Sequence, residues 1–202
     1  MAVRALFIID VQNDFTEGGA LGVEGGNSVA AGITAYLREH RGDYGVVFAS
    51  RDWHNASGNN GGHFADGAAP DFVTTWPPHC IADTHGAEYH PDLDTSFVDI
   101  HVRKGQGVPA YSIFEGTTDD GQTVLAKLDE LGVSDVDVVG IATDYCVRAS
   151  AFDALDAHRQ VRVITDLVAG VAPDSSASAL DELSESGAEL ITSNGDNNDV
   201  LV

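Results

Sequence analysis

The sequence predicts an α/β fold, a doubly wound six-stranded parallel sheet with helices on both faces. Apolar runs rich in β-branched residues recur along the chain, helical patterns separate them, and a polar or charged residue stands at the end of several. In an open sheet of this kind, ligands bind beyond the carboxyl ends of the strands.

The first run, Ala5-Leu6-Phe7-Ile8-Ile9, is continuously apolar, the mark of a strand covered on both faces, and it ends at Asp10. A glycine-rich loop over Gly18 to Gly26 follows. Asn27-Ser28 then opens a helix with apolar positions at Val29, Ile33 and Leu37 and a basic end at Arg38 and Arg41. Gly45 to Ala49 reads as the second strand. The long segment from Ser50 to Asp94 is polar, rich in glycine and histidine and nearly free of periodicity, which inside a compact domain points to a functional or ligand-stabilised loop.

Phe97 to Val102 alternates as a strand does and delivers Arg103-Lys104 at its end. Val124, Leu125, Leu128 and Leu131 form a helical face before Gly132. Next comes the strand Val136 to Ala142, and after it Thr143-Asp144 starts a helical pattern from Cys146 to His158. Val161 to Thr165 is a fifth strand, Asp174 to Ser186 a helix and Ala188 to Thr192 a sixth strand. Ser193 to Val202 reads as a surface tail.

With 202 residues and no linker or internal repeat, the chain is expected to form one domain over 1–202, with a metal-binding loop region over 50–94. There is no long apolar span and no cleavable leader, so a soluble, cytoplasmic protein is expected. The formal net charge of −22, from 32 acidic and 10 basic side chains, argues against nucleic acid and anionic membranes as partners. The acids are scattered as on a solvated surface, one that suits a salt-rich cytosol. Cys80 and Cys146 are too few for a disulfide scaffold and are expected as free thiols, a single bridge between them being the alternative.

Asp10, Asp52, Lys104 and Cys146 all fall at or just after the end of a predicted strand. A cysteine in the first turn of a helix is a candidate nucleophile, because unpaired N–H groups there favour the thiolate; it can equally be a small buried hydrophobe. Asp10 can serve as its base and Lys104 as the nearby cation. Proton transfer from thiol to aspartate then requires the lysine and helix terminus to bring the thiol down, or burial to bring the carboxylate up. The N–H groups of Ala142 and Cys146, on a tight strand-to-helix turn, could hold an oxyanion.

A second group is Asp52-x-His54 with His63 and His79. Residues two apart on an extended segment point the same way, and three nitrogen donors with one carboxylate suit zinc, iron or manganese better than calcium or magnesium. A third is an aromatic rim of Phe15, Trp53, Trp76 and Tyr111, suited to a flat ring or to ordinary packing.

The segments Ile9-Asp10-Val11-Gln12-Asn13-Asp14-Phe15, Asp52-Trp53-His54, His63-Phe64, Trp76-Pro77-Pro78-His79-Cys80, Lys104-Gly105, Ala110-Tyr111-Ser112-Ile113-Phe114 and Gly140 to Val147 resemble the nicotinamidase/pyrazinamidase family of isochorismatase-like cysteine hydrolases. The resemblance runs in order from about Val3 to Thr192 and implies the three-layer sandwich of that family. It implies that Cys146 attacks the carboxamide carbon of nicotinamide after losing its proton to Asp10, with Lys104 supporting the pair. It also implies an oxyanion hole at Ala142 and Cys146 and a cis peptide between Ile141 and Ala142. One divalent ion (Zn, Fe or Mn) would be held by Asp52, His54, His79 and His63 and would bind the pyridine nitrogen, while Phe15, Trp76 and Tyr111 line the substrate site. Tyr145 departs from the pattern, standing where close relatives often carry histidine.

The rival readings are an amidohydrolase of the same superfamily acting on a carbamoyl or ureido substrate, and a catalytically silent ligand-binding domain. A nucleotide-binding oxidoreductase is set aside, since the first strand leads into Asp10-Val11-Gln12-Asn13-Asp14 rather than a glycine fingerprint. Monomer and homo-oligomer both remain open.

Overall fold

The computed structural model describes residues 2–67 and 69–195. Its centre is a seven-stranded sheet in the order β4-β3-β2-β1-β5-β6-β7. The strands are β1 (Val3–Ile9), β2 (Val46–Asp52), β3 (Ile100–Lys104), β4 (Thr117–Thr118), β5 (Val133–Ile141), β6 (Gln160–Ala169) and β7 (Glu189–Ile191). All neighbours pair in parallel except β3 and β4. The six expected strands are therefore present, and the seventh is a two-residue antiparallel edge. Such a short strand is too brief to leave an alternating pattern in the sequence.

Burial on both faces explains the continuous apolar runs. In β1, Ala5, Phe7 and Ile9 pack into one side of the core and Leu6 and Ile8 into the other. One side is covered by α1 (Gly26–His40), which turns Val29, Ala30, Ile33 and Leu37 toward the sheet. The other is covered by α2 (Val124–Leu131), α3 (Arg148–Asp156) and α4 (Pro173–Glu185), through residues such as Leu128, Ala151 and Leu183. Helix α2 is capped by the Thr123 side chain, which accepts from the Ala126 N–H, and stops at Gly132 in the left-handed region with φ 65°. Among the described residues, no helix is long and apolar enough to cross a membrane.

Several boundaries move. The second strand continues to Asp52, so this residue ends a strand rather than opening a loop. The strand β6 runs on to Ala169 through a register irregularity opposite Val138 and Gly140. Cys146 does not lie in the first turn of an α-helix. Residues Thr143–Val147 form a π-helical turn, in which Tyr145 and Val147 both donate to the Ala142 carbonyl, and α3 begins only at Arg148. The expected tail reaches the described residues at 193–195; 196–202 lie outside them.

The chain passes from β1 to β2 on one side and later returns to place β5 on the other, so the strand order reverses between β1 and β5. Asp10 follows the first of these strands and Cys146 the second. The close approach of the two strands requires a glycine at 140: its φ is 116°, and an added Cβ would lie 2.2 Å from the Ile9 carbonyl oxygen.

Candidate active site and metal centre

Asp52 and Lys104 are register partners at the ends of β2 and β3, and alternation puts Ser50 on the same face of the sheet. Their side chains meet Asp10 and Cys146 at the reversal point. Lys104 Nζ lies 2.9 Å from Asp10 Oδ2 and 3.6 Å from Cys146 Sγ, donates to the Ala110 carbonyl at 3.2 Å and pairs with Asp52 Oδ1. Ser50 donates to Asp10 Oδ1 at 2.7 Å. Asp10, Ser50 and Lys104 are fully buried, and Asp52 and Cys146 nearly so.

Burial raises the Asp10 carboxyl above its usual range, partly offset by the Lys104 ammonium, while the Asp52 charge adds to the rise. Burial also pushes the Cys146 thiol up, against the pull of Lys104. Lys104 itself, despite the burial that disfavours its charge, is held well above the ordinary lysine value by Asp10 and Asp52. Of the two routes to proton transfer, the carboxylate is therefore brought up; the thiol is not brought down. Both cysteines are free thiols.

Asp52, His54, His63 and His79 are buried, and one ligand atom of each lies within 4.8 Å of every other. His54 Nδ1 is 2.8 Å from the Gly105 carbonyl oxygen, and His79 Nδ1 is 2.8 Å from that of Pro77. A carbonyl only accepts, so both Nδ1 atoms carry the proton in the neutral rings and both Nε2 atoms present lone pairs. His54 Nε2 stands 3.3 Å from Asp52 Oδ2 without a hydrogen bond, and His79 Nε2 is 3.6 Å from the same oxygen. His63 Nε2 is 3.4 Å from His79 Nε2, and burial together with the two neighbouring histidines brings the His63 pKa down to about 3, which keeps it neutral. The lone pairs of His54 and His79, the Asp52 carboxylate and the neutral His63 ring converge as a donor set that fits a divalent cation. The Asp52 carboxyl, although burial opposes its charge, is held well below the usual range by Lys104.

Gly105 makes the His54 contact possible: it has φ 81°, and an added Cβ would lie 2.6 Å from the His54 ring. Gln12 was not anticipated. Its side chain accepts from the Asp52 N–H at 2.8 Å and donates to the carbonyls of Asp52 and Ala87 at 2.9 and 3.0 Å, tying the end of β2 to the segment after β1. Ser50 was also missed, although its spacing of two from Asp52 on a strand was the available signal.

A cavity of about 450 Å³ opens onto Asp52, His63, His79, Ala142 and Cys146 and is walled by Phe15, Trp76, Tyr111 and Tyr145. Its size suits a small organic ligand. Trp76 Nε1 donates to the Tyr111 hydroxyl at 3.1 Å, and the Phe15 ring lies 5.4 Å from that of His79. Trp53 is not part of this wall, contrary to expectation. As the neighbour of Asp52 it turns the opposite way and stacks with the guanidinium groups of Arg51 and Arg103. The peptide between Ile141 and Ala142 is cis.

The Isochorismatase domain model matches residues 4–195. The nicotinamidase/pyrazinamidase of Mycobacterium tuberculosis (strain ATCC 25618 / H37Rv) is 47% identical over 191 residues, which cover 95% of this chain and 100% of that one. Among solved structures, the pyrazinamidase of Pyrococcus horikoshii in complex with zinc superposes with a TM-score of 0.79 at 35% identity, covering 94% of this chain and 98% of its own. PnC1 from L. infantum in complex with nicotinate superposes with a TM-score of 0.81 at 31% identity, covering 96% of this chain and 94% of its own.

Proposed function

The chain belongs to the isochorismatase family, and we propose that it is a metal-dependent cysteine amidohydrolase converting nicotinamide to nicotinic acid and ammonia, with pyrazinamide as a second substrate. The observation that carries this reading is the junction of two chemistries at one buried residue: Asp52 faces His54 and His79 through Oδ2, with His63 in the same cluster, and Lys104 through Oδ1. Cys146 and the Asp52, His63 and His79 side chains line one cavity, which supports a nucleophile and a metal acting on the same ligand.

In this reading Asp10 takes the Cys146 proton as Sγ attacks the carboxamide carbon. The N–H groups of Ala142 and Cys146 hold the oxyanion, and Lys104 keeps Asp10 and Cys146 together while balancing the negative charge that passes between them. Asp10 returns its proton to the departing nitrogen. The C–N bond breaks, ammonia leaves, and a nicotinoyl thioester remains on Cys146. Water, deprotonated by Asp10, then attacks the thioester carbon; the C–S bond breaks, nicotinic acid leaves and the thiol regains a proton.

Asp52, His54, His63 and His79 hold the ion, zinc, iron or manganese, which when bound supplies a Lewis-acidic site for the pyridine nitrogen. Phe15 and Trp76 flank the ring.

Ammonia release from nicotinamide, measured before chelation, after chelation and after return of each metal, tests the reading. Activity lost on chelation and restored by one of the three ions is expected. No turnover of nicotinamide or pyrazinamide under any metal condition would overturn it.

A further inference from the structure

We propose that Tyr145, the residue before the nucleophile, is a positioning residue that fixes the outer wall of the substrate cavity and so sets how large a ring the site admits. This role rests on the nicotinamidase reading above. The Tyr145 ring meets Trp76 edge to face, with centroids 5.1 Å apart and an interplanar angle of 86°, and stacks at a 28° tilt on Tyr111 with centroids 6.1 Å apart. Its hydroxyl donates to the Phe72 carbonyl at 3.4 Å.

These contacts join three separate pieces of the chain. Tyr145 sits in the π-helical turn that carries Cys146, Tyr111 in the loop after β3, and Phe72 and Trp76 in the long loop between β2 and β3. Trp76 is bound in turn to Tyr111 through its indole N–H and touched on its edge by Phe72 at 6.3 Å. The loop holding Phe72 is itself compact, because the Asp71 carboxylate accepts from the N–H groups of Val73, Thr74 and Thr75. The Tyr145 hydroxyl ties this compact loop to the turn that bears the nucleophile.

The substrate ring is proposed to lie against Trp76, so whatever fixes Trp76 relative to Cys146 fixes the width of the gap into which the ring slides. Phe72 and Val171 stand at the open rim of the same cavity, each about half exposed, and would bound any substituent pointing outward. A shorter side chain at 145, without a hydroxyl at this reach, would leave the Phe72 carbonyl without this donor.

The test compares Tyr145→Phe, which removes only the hydroxyl, with Tyr145→Ala, which also removes both ring contacts, in the metal-loaded enzyme. Both kcat and KM are measured for nicotinamide and for its ring-methylated analogue carrying a methyl group meta to the ring nitrogen, together with tryptophan emission and Tm. Tyr145→Phe is expected to weaken nicotinamide binding, raising KM by about twofold to fivefold with little change in kcat. Tyr145→Ala is expected to raise KM about tenfold and to shift tryptophan emission to the red. It should also narrow the preference for nicotinamide over the methylated analogue, compared as kcat/KM, by about tenfold.

Unchanged KM and unchanged discrimination in Tyr145→Ala would overturn the inference. So would a fall in kcat at constant KM in Tyr145→Phe, since the residue would then act on the chemistry and not on the wall. Failure of the wild-type enzyme to turn over nicotinamide defeats the parent reading instead, and the emission of Tyr145→Ala against Tyr145→Phe, read in a Trp53→Phe background so that Trp76 alone emits, still reports whether Trp76 is held by this ring.

Discussion

Lys104 Nζ lies 2.9 Å from Asp10 Oδ2, and neither side chain is exposed to solvent. The same ammonium pairs with Asp52, so one buried cation compensates two buried carboxylates. Lys104→Met leaves both without a counter-charge. It is expected to abolish nicotinamide turnover and to cost about 3–5 kcal/mol of stability, read by urea unfolding of the metal-free protein. Wild-type stability in the variant would contradict this pairing.

Ser50 donates to Asp10 Oδ1, and this bond favours the ionised carboxyl. The Asp10 pKa is already above 3.8 because of burial. In the proposed mechanism turnover requires the carboxylate, so the rate is expected to fall as pH drops through the folded value, with the acid limb of kcat/KM above the ordinary aspartate range. Ser50→Ala removes a bond that lowers the pKa and is expected to move that limb to higher pH. An unmoved limb would show that another group titrates there.

His54 offers the metal site a lone pair held in place by the Gly105 carbonyl. His54→Ala is expected to lose stoichiometric metal on dialysis, whereas the wild type retains it, as read by elemental analysis. Returning zinc to the metal-free wild type is expected to raise its Tm, because a ligand that binds only the folded state stabilises it by mass action. A metal content unaffected by the substitution would contradict the proposed ligand set.

Asp137 is fully buried in β5, takes no part in the proposed chemistry, and is contacted by Arg4 at 2.7 Å, Arg162 at 2.6 Å and the Tyr44 hydroxyl at 2.8 Å. Burial and this carboxylate hold the Tyr44 hydroxyl protonated well beyond the usual range. Asp137→Ala takes the carboxylate from Arg162 and leaves Arg4 with Asp135 and Tyr44 with the Tyr36 hydroxyl; it is expected to lower Tm by about 10 °C, while the protein that remains folded keeps the wild-type kcat.

The surface charge makes a separate prediction. With a net charge of −22, self-repulsion weakens as ions screen it, so Tm is expected to rise from low to molar salt. A flat or falling Tm would contradict that reading of the acidic surface.

Much of the fold was legible because burial on both faces writes continuous apolar runs, as in Ala5 to Ile9, and such runs need no tertiary information to recognise. The site was legible where chemistry sits at strand ends: Asp10, Lys104 and Cys146 converge, and the spacing of Asp52 and His54 puts both side chains on one cation site. Other parts left no signature. The carbonyls of Gly105 and Pro77 orient the histidines through backbone atoms common to every residue. The π-helical turn at Cys146 depends on packing that the local sequence does not encode, whereas the side to which Trp53 turns follows from the same alternation that sets Asp52 and His54 on one side. The substrate came from resemblance and not from any residue pattern alone.

The central claim is that Cys146 performs the amide cleavage. Ammonia release from nicotinamide by wild type and by Cys146→Ala, each with its bound metal measured in the same sample, tests it most directly. The account predicts turnover by the wild type and none above background by Cys146→Ala, although that variant keeps its metal; turnover by Cys146→Ala at the wild-type rate would contradict it.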